Sequence, residues 1–409
     1  MRFDSGDTAW MLTATLLVLM MLLPGLALFY GGLVRAKNLL SAMSQVMGVA
    51  AVAILVWVGW GYSLAFSDHG PIVGDLAKAG LRGIEGDSAW ALSTSGKAIP
   101  ELLFACFQMS FAITIALVVG ALVERVRFSA MLLFALLYVT IVYAPIAHMV
   151  WAADGLIFQT GAIDFAGGTV VHINAGIAGL VGVAFAGPRI GFLKEAMPPH
   201  SLALVLVGAG LLWVGWFGFN AGSALEANGL AAIAMLNTFV APAAGLLGWM
   251  GIERWRSGKP SLLGGASGAV AGLVAVTPAA GVSGPLGAML LGVAASAVCY
   301  GFIAGVKHRL RLDDSLDVFG IHGLGGIVGS IGTAVVALPM LGGHGGGDYA
   351  LGLQMVRQLG AVLLAIGWSA AGSTVCFGIT RFAIPLRRDG DEEREGLDLS
   401  DHGERAYNP

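Results

Sequence analysis

Eleven runs of about 20 mostly apolar residues divide this 409-residue chain, and each is long enough to cross a bilayer as a helix. They lie at roughly 9–32, 41–66, 100–123, 129–151, 168–187, 201–221, 228–252, 262–280, 285–306, 319–340 and 351–381. Lipid offers no partners to backbone N–H and C=O groups, so runs of this length must be helical. Charged residues make up only 11% of the chain, against about 25% for soluble domains. The sequence therefore predicts an all-α integral membrane protein with eleven transmembrane helices. Its 62 glycines are scattered through the apolar runs, where small residues let helices approach closely. A net charge of -3 implies no nucleic-acid partner. Cys106, Cys299 and Cys376 all sit in apolar runs and read as small buried hydrophobes, so neither a disulfide framework nor a metal site is indicated.

Orientation follows from lysine and arginine. Alternate connections, together with the C-terminal end, hold 17 of the 22 basic residues, among them Arg35, Lys37, Arg125, Arg189, Lys307 and Arg388. The other side has Arg2, Lys78, Arg82, Lys97 and Arg357. The expected arrangement is N-terminus outside and C-terminus in the cytoplasm of a multi-pass membrane protein. Residues 1–8 form a short outside N-terminus, and the first run reads as a retained helix rather than a cleaved leader. The membrane-spanning domain covers 9–381. Residues 67–99, rich in Gly, Asp and Ser, read as an outer cap, and 382–409 as a polar cytoplasmic tail that cannot form its own core.

Two histidines sit in matching frames. Val-Val-His172-Ile-Asn-Ala-Gly176-Ile-Ala-Gly179 and Gly-Ile-His322-Gly-Leu-Gly-Gly326-Ile-Val-Gly329 share His-x-x-x-Gly-Ile-x-Gly. An imidazole inside a spanning helix is costly and is a functional candidate by default. The duplication implies an inverted five-plus-five repeat, with halves at about 9–187 and 201–340 and span 11 (about 351–381) outside it. It brings His172 and His322 together near the midplane. Two neutral rings can bond to each other and still present a donor and an acceptor to a lumen.

Aromatic residues cluster in Phe107-Gln108-Met-Ser-Phe111 and in Trp213-Val-Gly-Trp216-Phe217-Gly-Phe219-Asn220-Ala-Gly-Ser223, with Trp151 at the end of span 4. Trp10, Trp57 and Trp60 fit an interfacial belt. Phe111 lies too deep for one. A Trp face and a nearby hydroxyl can hold a small cation, so Trp151 and Ser223 can form an outer vestibule, closed below by Phe rings. Asp164 reads as a cap on the helix that carries His172, and Asp317 as its counterpart before His322. Glu124, Arg125 and His148 read as interfacial residues without a role.

Ala-Leu-Phe29-Tyr30-Gly-Gly, Asp164-Phe-Ala-Gly-Gly-Thr-Val-Val-His172, Gly-Trp216-Phe-Gly-Phe219-Asn220-Ala-Gly-Ser223 and Asp317-Val-Phe-Gly-Ile-His322 resemble the Amt/Mep/Rh ammonium transporter family, most closely its bacterial Amt branch. The likeness covers nearly the whole chain. It implies a homotrimer with one ammonia-conducting pore per protomer. It further implies ammonium recruitment at Trp151 and Ser223, a stacked phenyl gate at Phe111 and Phe219, and a pore lined by His172, His322 and Trp216. Asp164 would be the buried carboxylate near the recruitment site. The segment from Trp151 to Asp164 is one residue longer than the bacterial pattern. The tail, with Gly396, His402, Gly403 and Tyr407, is similar to the family's regulatory tail, which in bacterial members meets a PII signal protein. The expected substrates are ammonium and ammonia, with methylammonium as an analogue, for nitrogen uptake. No cofactor and no enzymatic activity are expected: His-Glu-x-x-His and Gly-x-Ser-x-Gly are both missing from the sequence. An Rh-like gas channel and an ammonium sensor or scaffold are the alternatives.

Overall fold

Residues 2–92, 95–345 and 349–407 are described by a computed structural model, so the last two residues of the tail and two residues of the cap lie outside it. Every expected run is a helix: α1 (Ser5–Leu33), α2 (Ala36–Phe66), α3 (Glu101–Leu122), α4 (Phe128–Thr160), α5 (Gly168–Ala186), α6 (Leu202–Gly222), α7 (Gly229–Ser257), α8 (Leu262–Ala279), α9 (Pro285–Arg309), α10 (Phe319–Val336) and α11 (Leu351–Ala383). Helix α1 starts inside the segment expected to precede it, because the Asp4 carboxylate accepts the Asp7 N–H at 2.9 Å and caps it. Helix α7 runs past its apolar stretch through Glu253, Arg254 and Arg256. In the cap, strands β1 (Ala89–Ala91) and β2 (Ala98–Pro100) pair antiparallel, and Phe3 bridges to Ala98. Below, the face bearing this hairpin is the cap face and the opposite one the tail face.

The two histidine frames fold alike. Each opens on a wide π-helical turn, Gly168–Ile173 and Phe319–Gly323, and each continues as a 13-residue α-helix. Helix α5 runs from the cap face to the tail face and α10 runs back, as an inverted repeat requires. The glycine four residues after each histidine explains the repeated spacing. A Cβ on Gly176 would lie 2.4 Å from the Gly323 Cα, and one on Gly326 would lie 3.1 Å from the His172 Cβ. Only glycine lets the two backbones meet there.

Three readings of single residues need correcting. Trp57 is buried rather than interfacial. Its Nε1 donates to the Ala105 carbonyl at 3.0 Å, and its ring packs among Tyr62, Phe66 and Tyr143. Its helical position fits a belt, but α3 and α4 pack against that face of α2 and remove it from the interface. Cys106 faces outward from α3, while Cys299 and Cys376 are buried. His148 is fully buried, with its ring nitrogens 3.0 and 2.6 Å from the Ala65 and Gly70 carbonyls, and so ties α4 to the end of α2.

On the tail face Glu124 and Arg125 are buried too, in an ion network that sequence spacing does not reveal. Arg189 joins the Glu124 carboxylate at 2.6 Å and the Asp313 carboxylate at 2.7 Å. Arg35 and Asn38 donate to the same Glu124 at 3.0 Å each. Arg125 reaches Ser315 and the Asp313 carbonyl at 2.6 and 2.8 Å. The tail packs over this network as α12 (Gly390–Glu395) and α13 (Leu397–His402). The Glu393 carboxylate accepts the Ile190 N–H at 2.7 Å, Leu397 is buried, and Asp398 accepts the Ser41 N–H at 2.8 Å. Gly396 and Gly403 take positive φ values, 114° and 67°, that make the turns between these contacts.

Burial alone would raise the Glu124 carboxyl, but Arg189 and Arg35 outweigh it and hold the group below its ordinary value of 4.5. Its stabilising effect is thus full above that value and is lost as pH falls through the depressed one. Glu124→Gln leaves Arg189 half-paired, so we expect it to cost about 3–5 kcal/mol at neutral pH. The melting gap between variant and parent should then narrow below about pH 4.5. A gap that stays constant from pH 7 to pH 4 would show that the carboxylate charge carries no stability.

Candidate functional site

Asp164 sets the site up from the cap face. Its Oδ1 accepts the Gly167 and Gly168 N–H groups at 2.9 and 2.6 Å. Its Oδ2 accepts those of Thr169 and Val170 at 2.7 and 3.3 Å, and the Thr169 hydroxyl as well. One carboxylate thus satisfies the orphan donors that open α5 and fixes the turn that carries His172. The backbone carbonyl of Asp164 accepts the Trp151 Nε1–H at 3.0 Å and so aims that ring. The counterpart on the tail face is Asp314, not Asp317. Asp314 precedes His322 by the same eight positions as Asp164 precedes His172. It accepts the Val318 and Phe319 N–H groups at 3.0 and 2.8 Å, and burial raises its carboxyl. Asp317 sits at φ 60° and pairs with Lys307 instead, because that left-handed turn swings it away from the helix start.

The aromatic residues expected at the cap face converge. A cavity of about 310 Å³ is lined by Trp151, Ser223, Phe107, Gln108 and Phe111 among others. The Ser223 hydroxyl donates to the Phe219 carbonyl at 2.9 Å, which leaves its lone pairs for the cavity. Trp151 meets the Phe111 ring edge-on at 5.5 Å. Beneath them Phe111 and Phe219 stack at 4.2 Å and close the floor. Within the long Trp151–Asp164 segment, α4 breaks after Trp151, where Ala152 is extended, and resumes as the short turn Leu156–Thr160.

Behind the stacked pair lies a passage of only about 20 Å³, roughly one water, lined by Thr114, Leu117, Val171, His172, Trp216, Val270 and His322. The two histidines meet there, Nδ1 to Nδ1, at 3.2 Å. Among the described residues the buried His172 Nε2 has no hydrogen-bond partner. Trp216 lies parallel to the His172 ring at 5.4 Å and is fixed by its Nε1–H, which donates to Thr277 at 2.9 Å. On the tail side a second cavity of about 310 Å³ is lined by Phe29, Leu33, Glu253, Tyr300, Asp317 and Ile321. Phe29 lines both this cavity and the narrow passage. Seven of the eight expected residues therefore line the cap-face cavity or the narrow passage, and Asp164 stands behind them, holding Trp151 and the turn that carries His172. Phe29 and Thr114 line the passage as well, although sequence gave them no role: each is an ordinary apolar or weakly polar helix residue whose facing only the packing decides.

A line of cavities through an eleven-span helical protein, narrowing to one water beside a histidine pair, defines a membrane passage for a small solute. The chain matches the Ammonium Transporter Family over residues 9–407, and it belongs to that family. It is 46% identical to an ammonium transporter of Aquifex aeolicus over 414 aligned residues, which covers all of this chain and 94% of that protein. It superposes on the crystal structure of Saccharomyces cerevisiae Mep2 with a TM-score of 0.85 at 36% identity, covering 96% of this chain and 89% of that one. A sensor Amt protein gives a TM-score of 0.86 at 25% identity, covering 97% and 98%.

Asp164→Ala orphans four N–H groups where only one carboxylate can reach them. We expect it to destabilise the protein by roughly 2–4 kcal/mol and to abolish transport. Asp164→Asn keeps two acceptor lone pairs and should fall between the two. A parental melting temperature in Asp164→Ala would refute the capping assignment.

Proposed function

We propose that this chain transports ammonium for nitrogen uptake by stripping a proton from it and conducting ammonia. The ion is recruited in the cap-face cavity, against the Trp151 face and the Ser223 lone pairs. It loses its proton near Phe111 and Phe219. Neutral ammonia then passes His172 and His322 to the tail-face cavity. The unpartnered His172 Nε2, inside a passage about one water wide and otherwise mostly apolar, is the observation that carries this reading. A bare cation there faces a very large desolvation cost. Potassium and sodium cannot shed their charge; ammonium can. An ammonia molecule can both donate to and accept from the two rings, so its passage replaces the hydrogen bonds it leaves in water. Asp164, fully engaged in backbone bonds, acts on the ion only through its charge and through its hold on Trp151.

The same reading places the cap outside and the tail in the cytoplasm of the bacterial plasma membrane. It takes the working unit to be a homotrimer with one passage per protomer, and the docked tail to be regulatory and a contact for a PII-type signal protein. The transporter reading is favoured over a sensor because the relative named a transporter is 46% identical and the one named a sensor 25%. It is favoured over a gas channel because Trp151 and Ser223 suit a cation, which a channel for neutral gas does not need to hold.

Current measurement on proteoliposomes tests the reading. Ammonium and methylammonium should be carried and potassium excluded. Net current would mean that the released proton crosses too; uptake without current would mean it stays outside. We expect His172→Ala and His322→Ala to assemble normally yet to lose flux or to admit potassium. Parental flux and selectivity in both variants would reduce the pair to a packing feature.

Truncation after Arg388 removes Glu393, Leu397 and Asp398 and so frees the Ile190 and Ser41 N–H groups. We expect impaired transport and weaker binding of a PII-type protein, with the membrane core still trimeric. Flux and pull-down assays that match the parent would leave the tail without a regulatory role.

A further inference from the structure

The cap-face cavity holds a carboxylate that neither motif nor spacing points to. Glu226 lies three residues after Ser223 and lines the same cavity, yet is only 4% exposed. The backbone is bent to put it there. Leu225 adopts φ 59°, a left-handed conformation that costs a branched side chain energy, and its N–H is tied to the Gly222 carbonyl at 2.8 Å. The next residue, Ala227, is pinned by its N–H to the Asp7 carboxylate at 2.8 Å. Asn228 caps α7 with its side-chain oxygen, accepting the Leu230 and Ala231 N–H groups at 2.9 and 3.2 Å. Its amide N–H in turn donates to Glu226 Oε2 at 3.2 Å. A free rim carboxylate needs none of these restraints.

An independent feature of the same cavity points to a ligand. Gln108 is 8% exposed, and among the described residues its Oε1 has no hydrogen-bond partner. A buried amide oxygen without a donor leaves its desolvation uncompensated, and a hydrogen-bonding ligand would compensate it. The rest of the lining is largely aromatic, including Phe66, Trp90, Phe104 and Phe165. Lys97, whose charge interacts with Glu226, is itself held by Asp4 at 2.6 Å.

We propose that Glu226 supplies the negative charge of the cap-face cavity and that Gln108 supplies a neutral acceptor beside it. Together they set how tightly ammonium is held before the Phe111–Phe219 pair. This assignment rests on reading that cavity as the entry for ammonium. It divides the work of the entry: Trp151, Ser223 and Gln108 offer directional contacts that suit four N–H donors, whereas Glu226 attracts any small cation. Selectivity against potassium then belongs to the passage behind the ring pair, and affinity to its antechamber.

Proteoliposome currents over an ammonium series, in parent, Glu226→Gln, Glu226→Asp and Gln108→Leu, test it. Removing the charge should raise the half-saturating ammonium concentration roughly three- to tenfold, with maximal flux kept within about twofold. The aspartate variant should retain most of the affinity. Rising sodium chloride should weaken the parent's affinity and leave the glutamine variant nearly unchanged. Gln108→Leu should raise half-saturation without altering the salt response. A Glu226→Gln protein that titrates like the parent at low salt overturns the assignment. Should that variant not assemble, a parental titration that ignores salt overturns it equally. A parent that conducts ammonium while the Glu226 variants match it defeats only this inference; a parent that conducts none defeats the transport reading beneath it.

Discussion

Two imidazole rings touch inside an apolar bundle because two helices are built to cross at glycine. With a side chain at 176, α5 and α10 stand apart and the 3.2 Å contact between His172 and His322 is lost. The wide turns that carry the rings must also be held open from outside the membrane, since their first N–H groups have no helical partner. Asp164 does this at one end and Asp314 at the other. The rings, the glycine crossing and the two carboxylates form one mechanical unit, repeated with opposite direction. The cavities on either side are arranged around it.

The rest of the molecule separates charge from lipid. Residues that must be ionised sit just beyond the spans and are paired there, as Arg189 is with Glu124 and Asp313. The tail's Glu393 is bonded to Ile190, and Arg387 donates to the Ala186 carbonyl at 3.2 Å, at the far end of the helix that begins beside His172. The tail is therefore in direct mechanical contact with the helix that carries His172.

Much of this was legible in the chain. Apolar length determined all eleven spans, since nothing else about a span matters as much as its reach through lipid. The duplicated frame alone singles out the two histidines, the aromatic clusters suggest Trp151, Ser223 and the Phe rings, and motif likeness joins them with Asp164 and Trp216 into one candidate site. Failures came where pairing across the fold decided the outcome. Glu124 and Arg125 look interfacial until Arg189 is seen to pair with the one, and Ser315 and Asp313 to hold the other. Asp317 looks like a cap because it is adjacent to its helix; Asp314 is the cap because the backbone turns left-handed between them. The eight-residue offset shared by Asp164 and Asp314 was present in the sequence and could have identified the latter. Trp57 looks interfacial because the helix packing that buries it, against Ala105 and Tyr143, leaves no local pattern in the sequence.

The stacked Phe111 and Phe219 rings, 4.2 Å apart, have a kinetic consequence. On the route proposed for ammonia, nothing of that size fits between rings in contact, so each crossing would wait for a ring to swing aside. Throughput is then counted in openings per second rather than in collisions at the mouth. Such a passage saturates like a carrier even though it has the shape of a channel. Its ceiling is set by aromatic motion in a packed core, and its temperature coefficient should be that of side-chain rearrangement, steeper than that of diffusion through water.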